Sequence, residues 1–156
     1  MLNYLTIFLV SMVPLLELRG AIPIATGMEL PYTTSLVVCV IGNMVPVPFI
    51  YFYARKFLIW GSSRPRLEKI CTLFLTKGEK AGGKLKSKTG KYGLFMALLL
   101  FVGIPLPGTG AWTGTLAASF LDMGFKQTVL AVCLGVVLAG LIMGLASAGV
   151  FHIFGL

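Results

Sequence analysis

Acidic residues are scarce in this 156-residue chain: five Asp and Glu stand against thirteen Lys and Arg, a net charge of +8. Charged residues of either sign make up 12% of the chain, about half the roughly 25% usual in soluble domains. There is a single histidine, His152, near the end. No nucleophile–base pair or metal-ligand cluster can be assembled from such a set, so the chain is expected not to be an enzyme and to carry no cofactor or metal. Three cysteines, Cys39, Cys71 and Cys133, lie far apart and follow no metal spacing; an odd count in a reducing compartment excludes a disulfide framework. No Gly-rich loop ending in Lys-Ser/Thr is present, so ATP-driven work would need a separate subunit. No Lys or Arg precedes Arg19, so the basic start of a signal peptide is missing. The N-terminal segment is expected to stay in the mature protein.

What the chain does have is apolar surface. Hydrophobic residues are 57% of it, and mean hydropathy is +0.93, which places it in a membrane as a single domain. Four apolar blocks run over 2–27, 33–59, 93–121 and 127–154. The second and fourth meet the length of about 20 apolar residues that a spanning helix needs, and Pro46 and Pro48 are expected to kink the first of them. Between blocks two and three lies the charge. Residues 55–91 hold eleven basic residues against Glu68 and Glu79, a net of +9. A basic stripe between apolar runs reads as a positive-inside signal rather than a nucleic-acid surface, and it puts the 60–91 loop in the cytoplasm. Leu67, Ile70, Cys71 and Phe74 fall at helical spacing there and suggest a short amphipathic helix. The Gly- and Lys-rich stretch from Lys80 to Lys91 is expected to be mobile and to offer contacts to anionic lipid headgroups.

Blocks one and three are interrupted. The first reads Pro14-Leu-Leu-Glu17-Leu-Arg19-Gly20-Ala-Ile-Pro23, the second Gly103-Ile-Pro105-Leu-Pro107-Gly108-Thr109-Gly110. Glu17 and Arg19 at mid-bilayer would each cost about 2.5–3.5 kcal/mol on insertion scales. Each arm of about 11 residues reaches only ~16 Å as a helix. The expectation is therefore an all-α polytopic membrane protein with an inverted repeat: hairpin 2–27 and span 33–59, then the 60–91 loop, then hairpin 93–121 and span 127–154. A shift of 93 aligns the halves, pairing Pro14 with Pro107, Ala25 with Ala118, Tyr32 with Phe125, Ser35 with Thr128 and Gly42 with Gly135. A hairpin plus one span crosses the bilayer once, so the second copy starts from the other face. Both termini then lie outside, and the 121–126 turn, with Lys126, lies inside. The rival arrangement is four plain spans with cytoplasmic termini.

Paired breaks at corresponding places point to a transporter site at the bilayer midplane. Glu17 is the candidate proton carrier, because a carboxyl balanced between desolvation and a nearby guanidinium can take up and release a proton. Arg19 matches phosphate or carboxylate geometry, and the helix N-termini that follow each break favour an anion. Gly108 and Gly110 would let backbone approach a ligand, and Asn43, Thr109, Trp112 and Thr113 are further lining candidates. The alternative is that Glu17 and Arg19 form a mutual ion pair that locks the first tip. Pro14, Gly20, Pro23, Pro105 and Pro107 are read as the breakers. Small-xxx-small pairs such as Gly110/Gly114, Gly140/Gly144 and Gly144/Ala148 serve either internal packing or a homodimer.

The stretches Glu17-Leu-Arg19-Gly20-Ala-Ile-Pro23 and Pro105-Leu-Pro107-Gly108-Thr109-Gly110-Ala-Trp112-Thr-Gly114 resemble those of the small multi-drug export protein family of bacterial and archaeal membrane proteins. That family is similar in turn to the DedA superfamily. The resemblance implies two opposed re-entrant hairpins, an acidic residue in the first, and proton-linked transport in the cytoplasmic membrane of a prokaryote. Some DedA-type proteins are implicated in moving undecaprenyl phosphate. Their second hairpins carry arginines near the proline motif, whereas this chain has none between Lys91 and Lys126. The expected function is a proton-linked carrier of an anionic lipid such as a polyprenyl phosphate. The alternatives are an exporter of lipophilic cations and a non-transporting membrane assembly factor.

Overall fold

The computed structural model describes residues 2–14, 16–65, 68–106 and 109–154. Pro107 and Gly108, both expected at the second break, lie outside the described residues, as do Arg66 and Leu67 of the basic loop. Among the described residues seven helices form and there is no strand.

The first block holds two short helices, α1 (Leu2–Met12) and α2 (Glu17–Gly27), packed on each other. Helix α1 stops short of Pro14, as expected where a following proline disfavours the helical region. The break is thus tighter than the sequence reading. Gly20 and Pro23, taken as breakers, lie inside α2. Pro23 sits far enough into α2 that it removes only the bond to the Arg19 carbonyl. The long apolar stretch Tyr32–Ser62 is two helices, α3 (Tyr32–Met44) and α4 (Pro46–Ser62), meeting at Val45. Val45 keeps helical dihedrals (φ −57°, ψ −47°) and its N–H still donates to the Ile41 carbonyl at 3.2 Å, so the joint lies where Pro46 and Pro48 were expected to kink the span.

The basic segment departs further from expectation. Helix α5 (Glu68–Gly103) runs through it and on into the third block, interrupted at Gly90, whose backbone leaves the helical region (φ 67°, ψ −173°). Residues 80–89 are therefore helical, not irregular; lysine is a good helix former. Helix α6 (Ala111–Phe120) and α7 (Phe125–Phe154) complete the chain.

The order of elements is similar in the two halves: a helix, a break, a short helix of 10 or 11 residues, then a long apolar stretch. Local structure follows the same 93-residue offset. At the end of α2 the N–H of Glu29 donates to Thr26 (3.0 Å) and that of Leu30 to Ala25 (3.0 Å). At the end of α6 the N–H of Asp122 donates to Ser119 (3.4 Å) and that of Met123 to Ala118 (3.0 Å). Both are Schellman closures, and both put an acid in the left-handed region, Glu29 at φ 56° and Asp122 at φ 55°. Packing repeats too. Helix α1 lies on α3 as α5 lies on α7, while α2 reaches across to α7 and α6 to α4.

The core is built where these helices cross, from Ile7, Leu18, Ile22, Val102, Val132 and Val136. Small residues line the crossings of α7 in particular: Gly140 faces Leu36 and Leu18, and Gly144 faces the ring of Tyr32. The Tyr32 hydroxyl donates to the Gly140 carbonyl at 2.9 Å. The outer faces are apolar instead of polar. Phe49, Tyr53 and Phe57 of α4 and Leu130, Leu141 and Leu145 of α7 are all exposed, as suits helices that face lipid.

Candidate functional site

The two breaks meet, and each is closed by residues of the other. A helix leaves four N–H groups without partners at its start and four carbonyls at its end. At the start of α6, Glu17 supplies the acceptor. Its Oε2 accepts the N–H of Ala111 (3.2 Å) and its Oε1 that of Trp112 (3.1 Å). A carboxylate is also what the positive end of the helix dipole favours. Glu17 is buried, 5% exposed, and held at φ 49°. A non-glycine residue in that region is strained, and such strain gathers at sites with a task.

Arg19 closes the other side of the same break, the end of α5. Its Nη2 donates to the carbonyls of Val102 (3.2 Å) and Ile104 (3.2 Å) and to Thr109 Oγ1 (2.7 Å), and its Nη1 to the carbonyl of Leu106. Thr109 Oγ1 in turn donates within the loop, where the Ile104 and Leu106 carbonyls both lie at 2.9 Å. A guanidinium suits this role because its donors spread in a planar fork toward several acceptors at once. The traffic is reciprocal: Trp112 Nε1 donates to the carbonyl of Met12, the last residue of α1, at 3.1 Å.

Gly110 makes this closure possible. Its φ of 156° and the position of Glu17 exclude a side chain, because a Cβ there would overlap the Glu17 carboxylate. The other expected residues divide. Thr109, Gly110 and Trp112 stand at the joined breaks with Glu17 and Arg19. Pro14 and Pro105 lie in the connections. Thr113 is exposed on α6, and Asn43 is buried on α3 with its Oδ1 unpartnered. Glu17 and Arg19 were expected to serve a ligand or to pair with each other; the hydrogen bonds that both make in this structure go to the opposite half. The main-chain acceptors Met12, Val102, Ile104 and Leu106 were not foreseen, since a carbonyl carries no sequence signal. The indole of Trp112 was the available clue.

Beside the breaks, Trp112 and Leu116 of α6 and Phe49, Ile50, Tyr53, Ala54 and Phe57 of α4 line a shallow apolar groove of about 440 Å³. It opens on the outer face of the molecule.

These features define a membrane protein, all-helical among the described residues, with two stretches long and apolar enough to cross a bilayer, Tyr32–Ser62 and Phe125–Ser147, each preceded in sequence by a broken-helix pair. A sequence profile of the family described as "Putative small multi-drug export protein" matches residues 17–142, so the chain belongs to that family. The match begins at Glu17, just after the first break, covers the second break and the whole of Tyr32–Ser62, and ends inside α7. Comparison with curated proteins and with solved structures gave no match.

Proposed function

We propose that this chain is a proton-linked secondary exporter of lipophilic compounds, without enzymatic chemistry, and that the joined breaks are its moving part. The carrying observation is the Glu17 carboxylate bound to the first two N–H groups of α6. Hydrogen bonds to an ionised acceptor are about twice as strong as neutral ones. Protonating Glu17 weakens both bonds and removes the charge that the helix start favours. A proton at this one carboxyl thereby loosens α2 from α6, and with it one half from the other.

The topology proposed is that of opposed re-entrant hairpins. Helices α1 and α2 have 11 residues each and α6 has 10, about 15–16 Å at 1.5 Å per residue, half of a ~30 Å hydrocarbon core. The shared 93-residue offset of caps and packing supports an inverted repeat. The basic 60–91 segment then faces the cytoplasm. Single cysteines at Asn3 and Glu29 label from outside and one at Asp122 from inside; labelling of Asn3 and Glu29 from opposite sides overturns the hairpin.

For the substrate, the aromatic rings of Phe49, Tyr53, Phe57 and Trp112 favour a flat lipophilic cation entering from the bilayer. The anion-holding elements are engaged: Arg19 by carbonyls, the α6 start by Glu17. A lipid phosphate remains the second reading, because a helix start that holds one carboxylate can hold a phosphate once Glu17 is protonated. In proteoliposomes with an imposed pH gradient, the exporter reading expects uptake of a fluorescent lipophilic cation that Glu17→Gln abolishes. Equal uptake by wild type and variant refutes the proton role. Cation-independent flip of a polyprenyl phosphate selects the second reading.

A further inference from the structure

Near the end of α3 one buried side-chain oxygen has no hydrogen-bond partner, and two main-chain carbonyls beside it in sequence lose their helical one. Pro46 and Pro48 have no N–H, so the carbonyls of Gly42 and Met44 lose the partners that a continuing helix would supply four residues on. Between them, Asn43 is 1% exposed, and its Oδ1 is buried without a hydrogen-bond partner. Such an atom is costly where no water reaches it.

Helix α1 brings a further oxygen. Gly42 lies so close to it that a Cβ would overlap the Ser11 hydroxyl and come within 2.7 Å of the Phe8 carbonyl. Ser11 is fully buried. Its Oγ donates to Phe8 at 2.7 Å, which leaves its lone pairs free to accept. The C-terminal ends of α1 and α3 therefore meet here, each bringing the negative end of its dipole. At the second break, the C-terminal end of α5 is met by the charge of Arg19. The end of α1 is met by the neutral indole of Trp112.

The other half shows that the fold does not require this arrangement. At the 93-residue offset, Asn43, Pro46 and Pro48 become Val136, Ala139 and Leu141, and α7 passes through unbroken. The interruption and the unpartnered amide occur together in one half alone.

We propose that Ser11, Gly42, Asn43 and Met44 form a binding site for a dehydrated monovalent cation of sodium's size. Hard cations take oxygen ligands. A single positive charge suits uncharged ligands in a low-dielectric setting, where a divalent ion would call for carboxylates. Unwound carbonyls and half-helix C-terminal ends are the elements by which membrane helices hold sodium. The site does not involve Glu17, so it stands or falls apart from the exporter reading.

The test is thermal unfolding of the purified full chain in detergent at constant ionic strength, exchanging choline chloride for sodium chloride or potassium chloride. Sodium is expected to raise the midpoint in a saturable way, and more than potassium does. Asn43→Val, which copies the residue of the other half, is expected to keep the choline midpoint and lose the sodium shift. Ser11→Ala, a milder change should that variant fold poorly, is expected to raise the half-saturating sodium concentration by about tenfold or more. A midpoint insensitive to sodium, a response shared equally by choline, or a full sodium shift in both variants overturns the proposal and leaves a buried water as the partner of Asn43.

Discussion

Ala111→Pro isolates one hydrogen bond at the joined breaks. Ala111 is the first residue of α6, a position where proline is at home. Gly110 before it has an extended ψ of −173°, which a following proline favours. The substitution removes the N–H that reaches Glu17 Oε2 at 3.2 Å and leaves the helix itself able to form. Hydrogen bonds to charged groups contribute about 1.5–3 kcal/mol, and at 5% exposure Glu17 has little water to replace the loss. In a Glu17→Gln background the amide has one carbonyl oxygen, which serves the N–H of Trp112, and its NH₂ faces the N–H of Ala111. Deleting that N–H then costs no bond. Any strain from the proline ring is present in both backgrounds and cancels. The double-mutant cycle should therefore show coupling of about 1.5–3 kcal/mol. The assay is equilibrium unfolding in mixed micelles against a denaturing detergent, followed by tryptophan fluorescence. Additivity within about 0.5 kcal/mol would refute the claim that Glu17 holds the start of α6.

Two further perturbations probe the same junction. Arg19→Lys replaces a fork serving Val102, Ile104, Leu106 and Thr109 by a point charge. A loss of about 1–3 kcal/mol is expected in the same unfolding assay, and an unchanged midpoint would show the carbonyls to be met otherwise. Gly110→Ala drives a methyl into the Glu17 carboxylate. It should destabilise by about 1–3 kcal/mol or more, whereas the same change at Gly27, which meets nothing within 4 Å, should be close to neutral.

Much of the architecture could be read from residue order because membranes make local chemistry explicit. The long apolar stretches, the prolines that end helices, and the offset that pairs Ala25 with Ala118 all survive as helices, breaks and matching caps. The exact breaker was harder. Pro14, Gly20 and Pro23 carry the same composition signal, and position along α2 decides which of them matters. The helix over residues 80–89 was not foreseen because glycines near Lys80 and Lys84 look flexible in isolation, while lysine itself propagates helix. Glu17 and Arg19 stood out as charges inside an apolar block. Their partners did not, because they are main-chain atoms some ninety positions away, brought close by how the halves cross.

That distance bears on how the protein comes to exist. Arg19 is separated from Val102 by 83 positions and Glu17 from Ala111 by 94. During synthesis, a chain that has emerged only as far as residue 65 already holds the strained Glu17 and the guanidinium of Arg19, but neither the carbonyls nor the N–H groups that receive them. The seam that joins the finished halves is thus also a checkpoint in biogenesis: two fragments expressed separately should be degraded when alone and rescue each other when made together.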